Sequence, residues 1–196
     1  DSLAKKLRKR RFDNGSVAFD RVEVRFEIDD KGHPIKVFFK ESKDANKLVE
    51  EFMLLANKQV ATAIGKPGDK KKAKPFVYRI HDNPDPDKLS NFAEIASRFG
   101  YKLKTVGKRS AVNNSLNKML TSVKGQPEEN LLSILAIRSM AKAVYSTVNV
   151  GHYGLAFDYY THFTSPIRRY PDMMVHRLLD KYLSGGRAVN TEKFEA

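Results

Sequence analysis

Cysteine is absent from the 196 residues, which excludes disulfides, thiolate zinc sites and cysteine nucleophiles and fits a reducing, cytoplasmic setting. No apolar run approaches the roughly 18 residues that span a bilayer, so no membrane partner is expected. The opening residues Asp1-Ser2-Leu3-Ala4-Lys5-Lys6 contain no apolar stretch of the kind that leads a secretory signal. Acidic residues are scarce beside basic ones: 23 Asp and Glu against 36 Lys and Arg, a formal charge of +13. Such a surplus favours a polyanionic partner, nucleic acid first. Also missing are the Walker loop, the dinucleotide fingerprint and the Gly-x-Ser-x-Gly elbow. With 41% hydrophobic residues the chain can still bury one sizeable core.

The patterning predicts an α+β fold: a β-hairpin or antiparallel strands plus about five helices. Leu3 to Arg11 is a basic, helical lead-in. Ser16 to Glu27 alternates apolar and polar residues and Ile35 to Phe39 returns after the turn residues Asp29-Asp30-Lys31-Gly32, so a hairpin is expected. From Asp44 to about Ile64 the pattern is helical, with Leu48, Val49, Phe52, Met53, Leu55, Ala56 and Val60 predicted on one apolar face. Lys70, Lys71, Lys72 and Lys74 form a basic loop, a solvated segment or a nonspecific phosphate contact. Asn83-Pro84-Asp85-Pro86-Asp87 reads as a turn capping a helix from about Lys88 to Phe99. Further helices are expected from Ser110 to Val123 and from the Gly125-Gln126-Pro127 region to about Ala143. Tyr145 to Val150 is β-prone.

The segment Tyr160 to Asp172 crowds hydroxyls, aromatics, a histidine and two arginines around a predicted helix start. Ser165-Pro166 reads as an N-cap with proline at the first helical position, aiming free N–H groups at an anion. Arg168 then offers a planar fork to two phosphate oxygens. Taken alone, Ser-Pro-x-Arg also describes a capped surface helix with solvated arginines. Within the long helix, Asn46, Glu50 and Asn57 share a narrow polar stripe at 100° per residue, whereas Lys47, Glu51 and Lys58 fall on the expected solvent face. The stripe can read a base edge or a ribose hydroxyl, or it can be an inert polar boundary. Phe19, Tyr153, Phe157, Tyr159, Tyr160 and Phe163 offer stacking surfaces for bases, of which one or two are expected to face a ligand. His152, His162 and His176 lack metal-binding spacing and read as structural hydrogen-bonding groups. Asp158 and Asp172 are the only carboxylates beside the phosphate site, too few for a two-metal nuclease centre, so no metal ligand is assigned.

Arg138-Ser139-Met140, Gly151-His152-Tyr153-Gly154-Leu155-Ala156 and His162 to Asp172 with His176-Arg177 together resemble the C-terminal signature of the ribonuclease II and ribonuclease R family, whose catalytic unit is the RNB domain. Leu48 to Asn57 is similar to that family's central helix and Phe19-Asp20-Arg21-Val22-Glu23 to the strand before it, so the resemblance covers nearly the whole chain and is nearest to the ribonuclease R branch. It implies a processive 3′-to-5′ exoribonuclease that releases nucleoside 5′-monophosphates with Mg²⁺ on an aspartate cluster. That cluster is expected upstream, so residues 1–196 would be the C-terminal half of the catalytic domain. The missing N-terminal half would be a partner, and the flanking cold-shock and OB-fold domains lie elsewhere.

The resemblance implies Arg168 as the catalytic arginine holding the scissile phosphate, Glu50 near the 3′-terminal nucleotide, and Phe19 as an approximate stacking residue. Asn57, Ser165, Arg169 and Tyr170 complete the candidate contacts to single-stranded RNA. The chain alone is expected to lack nuclease activity and to bind RNA weakly and salt-sensitively. The alternatives are a non-catalytic single-stranded RNA-binding module and a helical interaction protein.

Overall fold

The computed structural model of the chain describes residues 1–18, 23–40, 42–66 and 73–194. Within them it is α+β, with six α-helices and two two-stranded antiparallel sheets. The basic lead-in is helix α1 (Ser2–Asp13), followed by strands β1 (Glu23–Ile28) and β2 (Pro34–Lys40). Asp29 closes the hairpin turn, accepting from the N–H groups of Lys31 and His33 at 2.9 and 2.8 Å. Cross-strand pairing sets Val24 opposite Phe39 and Phe26 opposite Val37, and all four side chains are exposed.

The first strand begins later than the alternating pattern predicts. Residues 16–18 lie outside it because the helix Arg109–Ser122 captures them: Asn113 Nδ2 donates to Gly15 O at 2.7 Å, and the Asn117 amide pairs with Ser16 O and Ala18 N at 2.7 and 2.9 Å. Phe19, the candidate stacking residue, falls outside the described residues, as do Lys70 to Lys72. Lys74 is structural, donating to Gly186 O at 2.9 Å above the Tyr182 ring.

Helix α2 (Asp44–Gly65) is the longest element. Its buried positions are Glu51, Leu54, Asn57 and Ala61, a stripe of helical spacing that differs from the predicted apolar face, since Val49 and Phe52 are exposed. The difference arises because α1 packs on one flank of α2 while Phe157 and Tyr160 cluster with Leu54 on another. Polar residues therefore become interior wherever partners meet them.

Helix α3 (Pro86–Arg98) starts as its sequence dictates: Asp85 accepts from the N–H groups of Asp87 and Lys88 at 3.0 and 3.2 Å, with proline in the first turn. Helices α4 (Arg109–Ser122) and α5 (Glu129–Ser139) complete a helical layer with α3. Phe92, Leu116, Val123 and Leu132 form its core. Helix α5 stops short of the predicted Ala143 because Met140 turns extended (φ −81°, ψ 148°), leading into strand β4 (Val144–Ser146), which pairs with β3 (Tyr78–Ile80). A second core joins Ala61 of α2, Phe76 to Tyr78, and Val175, Leu178 and Tyr182 of helix α6 (Tyr170–Leu183).

Candidate nucleic-acid interface

The polar stripe of α2 lines a cleft. Asn46, Glu50 and Asn57, with Val49, Met53 and Leu54, face a space of about 500 Å³ closed by Tyr160 and Arg169. Asn57 sits in its buried part, where Nδ2 donates to Tyr160 Oη at 3.1 Å, while Oδ1 accepts from the N–H groups of Phe163 and Thr164 at 3.0 and 3.2 Å. One side chain thus docks the 160–164 segment onto α2. Burial holds the Tyr160 hydroxyl protonated by raising its pKa.

Beyond Thr164 the structure departs from the expected helix start. Ser165 does not cap α6. Its carbonyl accepts from the N–H groups of Arg168 and Arg169 at 3.3 and 3.1 Å, closing a separate turn, and α6 begins only at Tyr170 with Arg169 as its cap residue and proline in the first turn. The reason is Pro171: it tolerates only the first turn of a helix, where its missing N–H costs nothing. Asp172, completely buried, reaches back from that first turn. Its Oδ2 accepts from Ser165 N at 2.8 Å and Arg169 Nη2 at 2.7 Å, pinning the turn at both ends. Arg169 is thereby paired while still lining the cleft. Arg168, one residue earlier in the same turn, is exposed, as are Ile167 and Tyr170. An exposed guanidinium on a rigid turn can offer two parallel donors to phosphate oxygens.

The two adjacent glutamates are unequal, but not in the way helical geometry alone predicts. Glu51, assigned to the solvent face, is only 3% exposed, whereas Glu50 is 47% exposed. The correction comes from α1, whose Arg11 is itself buried at 6% exposure. Arg11 grips Glu51 through Nε to Oε2 at 3.3 Å and Nη2 to Oε1 at 2.5 Å. Its Nη2 also donates to Glu50 Oε1 at 3.3 Å, and Arg8 Nη1 lies 3.6 Å from Glu50 Oε2. Sequence reasoning treats Arg11 only as part of a basic helix; its spacing from the buried Ala4 was the available signal, since seven residues return to the same helical face.

Around the cleft, His162 and His152 are held neutral. Burial and the Arg169, Arg79 and Arg168 charges push His162 down to about 4, against a smaller opposing effect of Asp172. Its Nδ1 shares a hydrogen bond with Tyr145 Oη at 2.7 Å. His152, edge-on to Tyr160, is pushed down to about 3, chiefly by burial and then by His81 and Arg79. His176 stacks on Phe163 and donates to its carbonyl at 2.8 Å. Of the candidate aromatics, Tyr153, Phe157 and Tyr160 are buried. Among the described residues no three His, Cys, Asp or Glu side chains converge as a metal site requires, so the magnesium implied by the family resemblance has no ligand set among them.

The α+β fold thus sets Glu50, the buried Asn57 amide and Arg169 along one cleft of a basic chain, with the exposed Arg168 one residue before Arg169. The RNB domain model matches residues 1–185, and the chain belongs to that family. Ribonuclease R of Aquifex aeolicus is 41% identical over 185 residues, covering 94% of this chain and 25% of that protein. Ribonuclease R of Escherichia coli K12 is 35% identical over 182 residues, covering 93% and 21%. The chain thus spans about a quarter of the length of these curated relatives. Among solved structures, Mycoplasma genitalium RNase R in complex with ribose methylated single-stranded RNA matches with a TM-score of 0.80 at 29% identity, over 92% of this chain and 27% of that one. Yeast Ssd1, a pseudonuclease, matches with a TM-score of 0.63 at 26% identity, over 76% and 18%. No described helix is long and apolar enough to cross a membrane.

Proposed function

We propose that the chain is the C-terminal half of the catalytic domain of a ribonuclease R-like 3′-to-5′ exoribonuclease that hydrolyses single-stranded RNA to nucleoside 5′-monophosphates in the cytoplasm. In this reading it supplies the phosphate-holding Arg168 and part of the RNA channel, and it is inactive without the other half. The observation that carries it is the pinned turn: Arg168 is exposed beside Arg169, whose guanidinium lines the same cleft as Glu50 and Tyr160. Arg168 binds phosphate oxygens and offsets charge developing on them during cleavage. Arg169 keeps the field positive while Asp172 fixes its place. Glu50 accepts hydrogen bonds from the terminal nucleotide, and Tyr170 and Ser165 flank the backbone path. The family match and the relatives named ribonuclease R support this assignment, and RNA as partner is supported by the Mycoplasma RNase R complexes with single- and double-stranded RNA.

A second reading, a non-catalytic single-stranded RNA-binding module, is favoured by the likeness to a pseudonuclease. Fluorescence anisotropy with labelled single-stranded RNA across a salt series tests the interface common to both. Arg168→Ala is expected to weaken binding uniformly across sequences and to reduce the salt slope by about 1. Unchanged binding and slope in that variant would remove Arg168 from the interface. Tight binding with base preference at physiological salt would favour the module.

A further inference from the structure

A glutamate in a cleft that takes a polyanion is a physical problem, because an unbalanced carboxylate repels the phosphates the arginines attract. The surroundings of Glu50 answer it. Arg11 is fixed by buried partners on two sides: Glu51 takes Nε and Nη2, and Ser16 Oγ takes Nη1 at 2.8 Å while donating to Gly154 O at 3.1 Å. The remaining bond, from Nη2 to Glu50 Oε1, points toward the cleft-lining carboxylate. Arg8 stands 3.6 Å from the other Glu50 oxygen and 3.4 Å from Glu51. Two cations and two anions therefore balance. Because a carboxylate has about four acceptor positions, Glu50 still has lone pairs to offer a nucleotide donor.

We propose that Arg11, clamped by Glu51 and Ser16, is a positioning residue that holds Glu50 in the cleft as a charge-balanced hydrogen-bond acceptor. This rests on the RNA-cleft assignment above. The geometry asks for arginine, since Arg11 directs four hydrogen bonds from three separate nitrogens to Glu51, Ser16 and Glu50, one more than the three donors of a single ammonium nitrogen.

The test is a double-mutant cycle on affinity for a short labelled oligoadenylate, with Glu50→Gln, Arg11→Lys and the pair. Each single change is expected to weaken binding by about three- to tenfold, with the double variant no weaker than the worse single, a non-additivity typical of residues acting as a unit. A role for Arg11 only as a staple between α1 and α2 predicts lowered thermal stability and effects that multiply; that result overturns the proposal. So does a Glu50→Gln chain that binds like wild type while Arg168→Ala still weakens binding, and there the cleft assignment survives. Absence of RNA binding by the wild-type chain removes the cleft assignment itself and this proposal with it. If thermal melts show that Arg11→Lys does not fold, Ser16→Ala, which removes only the Nη1 acceptor, replaces it in the cycle under the same criteria.

Discussion

Glu50 and Glu51 differ by one position and about 100° of helix, yet one is half-exposed and the other is sealed under Arg11. Removing a partner from a buried ion pair leaves an uncompensated charge, so Glu51→Ala is expected to cost about 3–5 kcal/mol in chemical denaturation. Glu50→Ala, at a site open to solvent, is expected to cost under about 1 kcal/mol. Equal costs would show that Glu51 is not the anchor. The stripe containing Glu50 was legible from helical spacing, but the burial of Glu51 was not, because it depends on an arginine forty residues earlier that no local pattern connects to it. The histidines give a second test. His152 and His162 have folded pKa values of about 3 and about 4 against an ordinary 6.5. Between those limits the unfolded chain binds more protons. The stabilisation is therefore complete above about pH 6.5 and is lost as pH falls toward 4. The thermal midpoint should drop over that window, and His162→Gln, which cannot charge, should flatten the drop; a slope unchanged by that variant would contradict the assignment.

Among the elements, those with local signals formed where the sequence placed them. Asp85 and Pro86 start α3, and the lead-in and the long helix are α1 and α2. The start of α6 was misplaced because Ser165-Pro166 and Arg169-Tyr170-Pro171 both carry start signals; Pro171, tolerated only in a first turn, selects the second, and the back-reaching Asp172 carboxylate pins the preceding turn to it. That carboxylate joins turn to helix, so Asp172→Ala is expected to destabilise the chain by about 3 kcal/mol, leaving Arg169 without its buried partner. The same variant should weaken RNA binding even though Asp172 is completely buried. Full stability in urea with intact RNA affinity would show that the turn holds its shape without it. Likewise residues 16–18 lie outside the strand expected from Ser16, because the amides of Asn113 and Asn117 occupy the backbone of residues 15–18.

At the scale of the molecule, the excess of 13 positive charges suits a polyanionic partner, Arg169 lines one cleft under the hold of Asp172, and the long motif from His162 to Asp172 made the family legible before any geometry. What composition and motif left open was which groups are available to a ligand. Asn57 docks the 160–164 segment through Tyr160, Phe163 and Thr164, while Arg168 is exposed. In the proposed function this chain contributes the phosphate arginine to a nuclease whose metal ligands do not converge among its described residues. The most direct measurement is a gel of 5′-labelled single-stranded RNA incubated with Mg²⁺ and the chain, alone and supplemented with the preceding half of a ribonuclease R catalytic domain. The account predicts no ladder from the chain alone, a ladder on supplementation, and its loss with Arg168→Ala. A ladder from the chain alone that EDTA abolishes would contradict it.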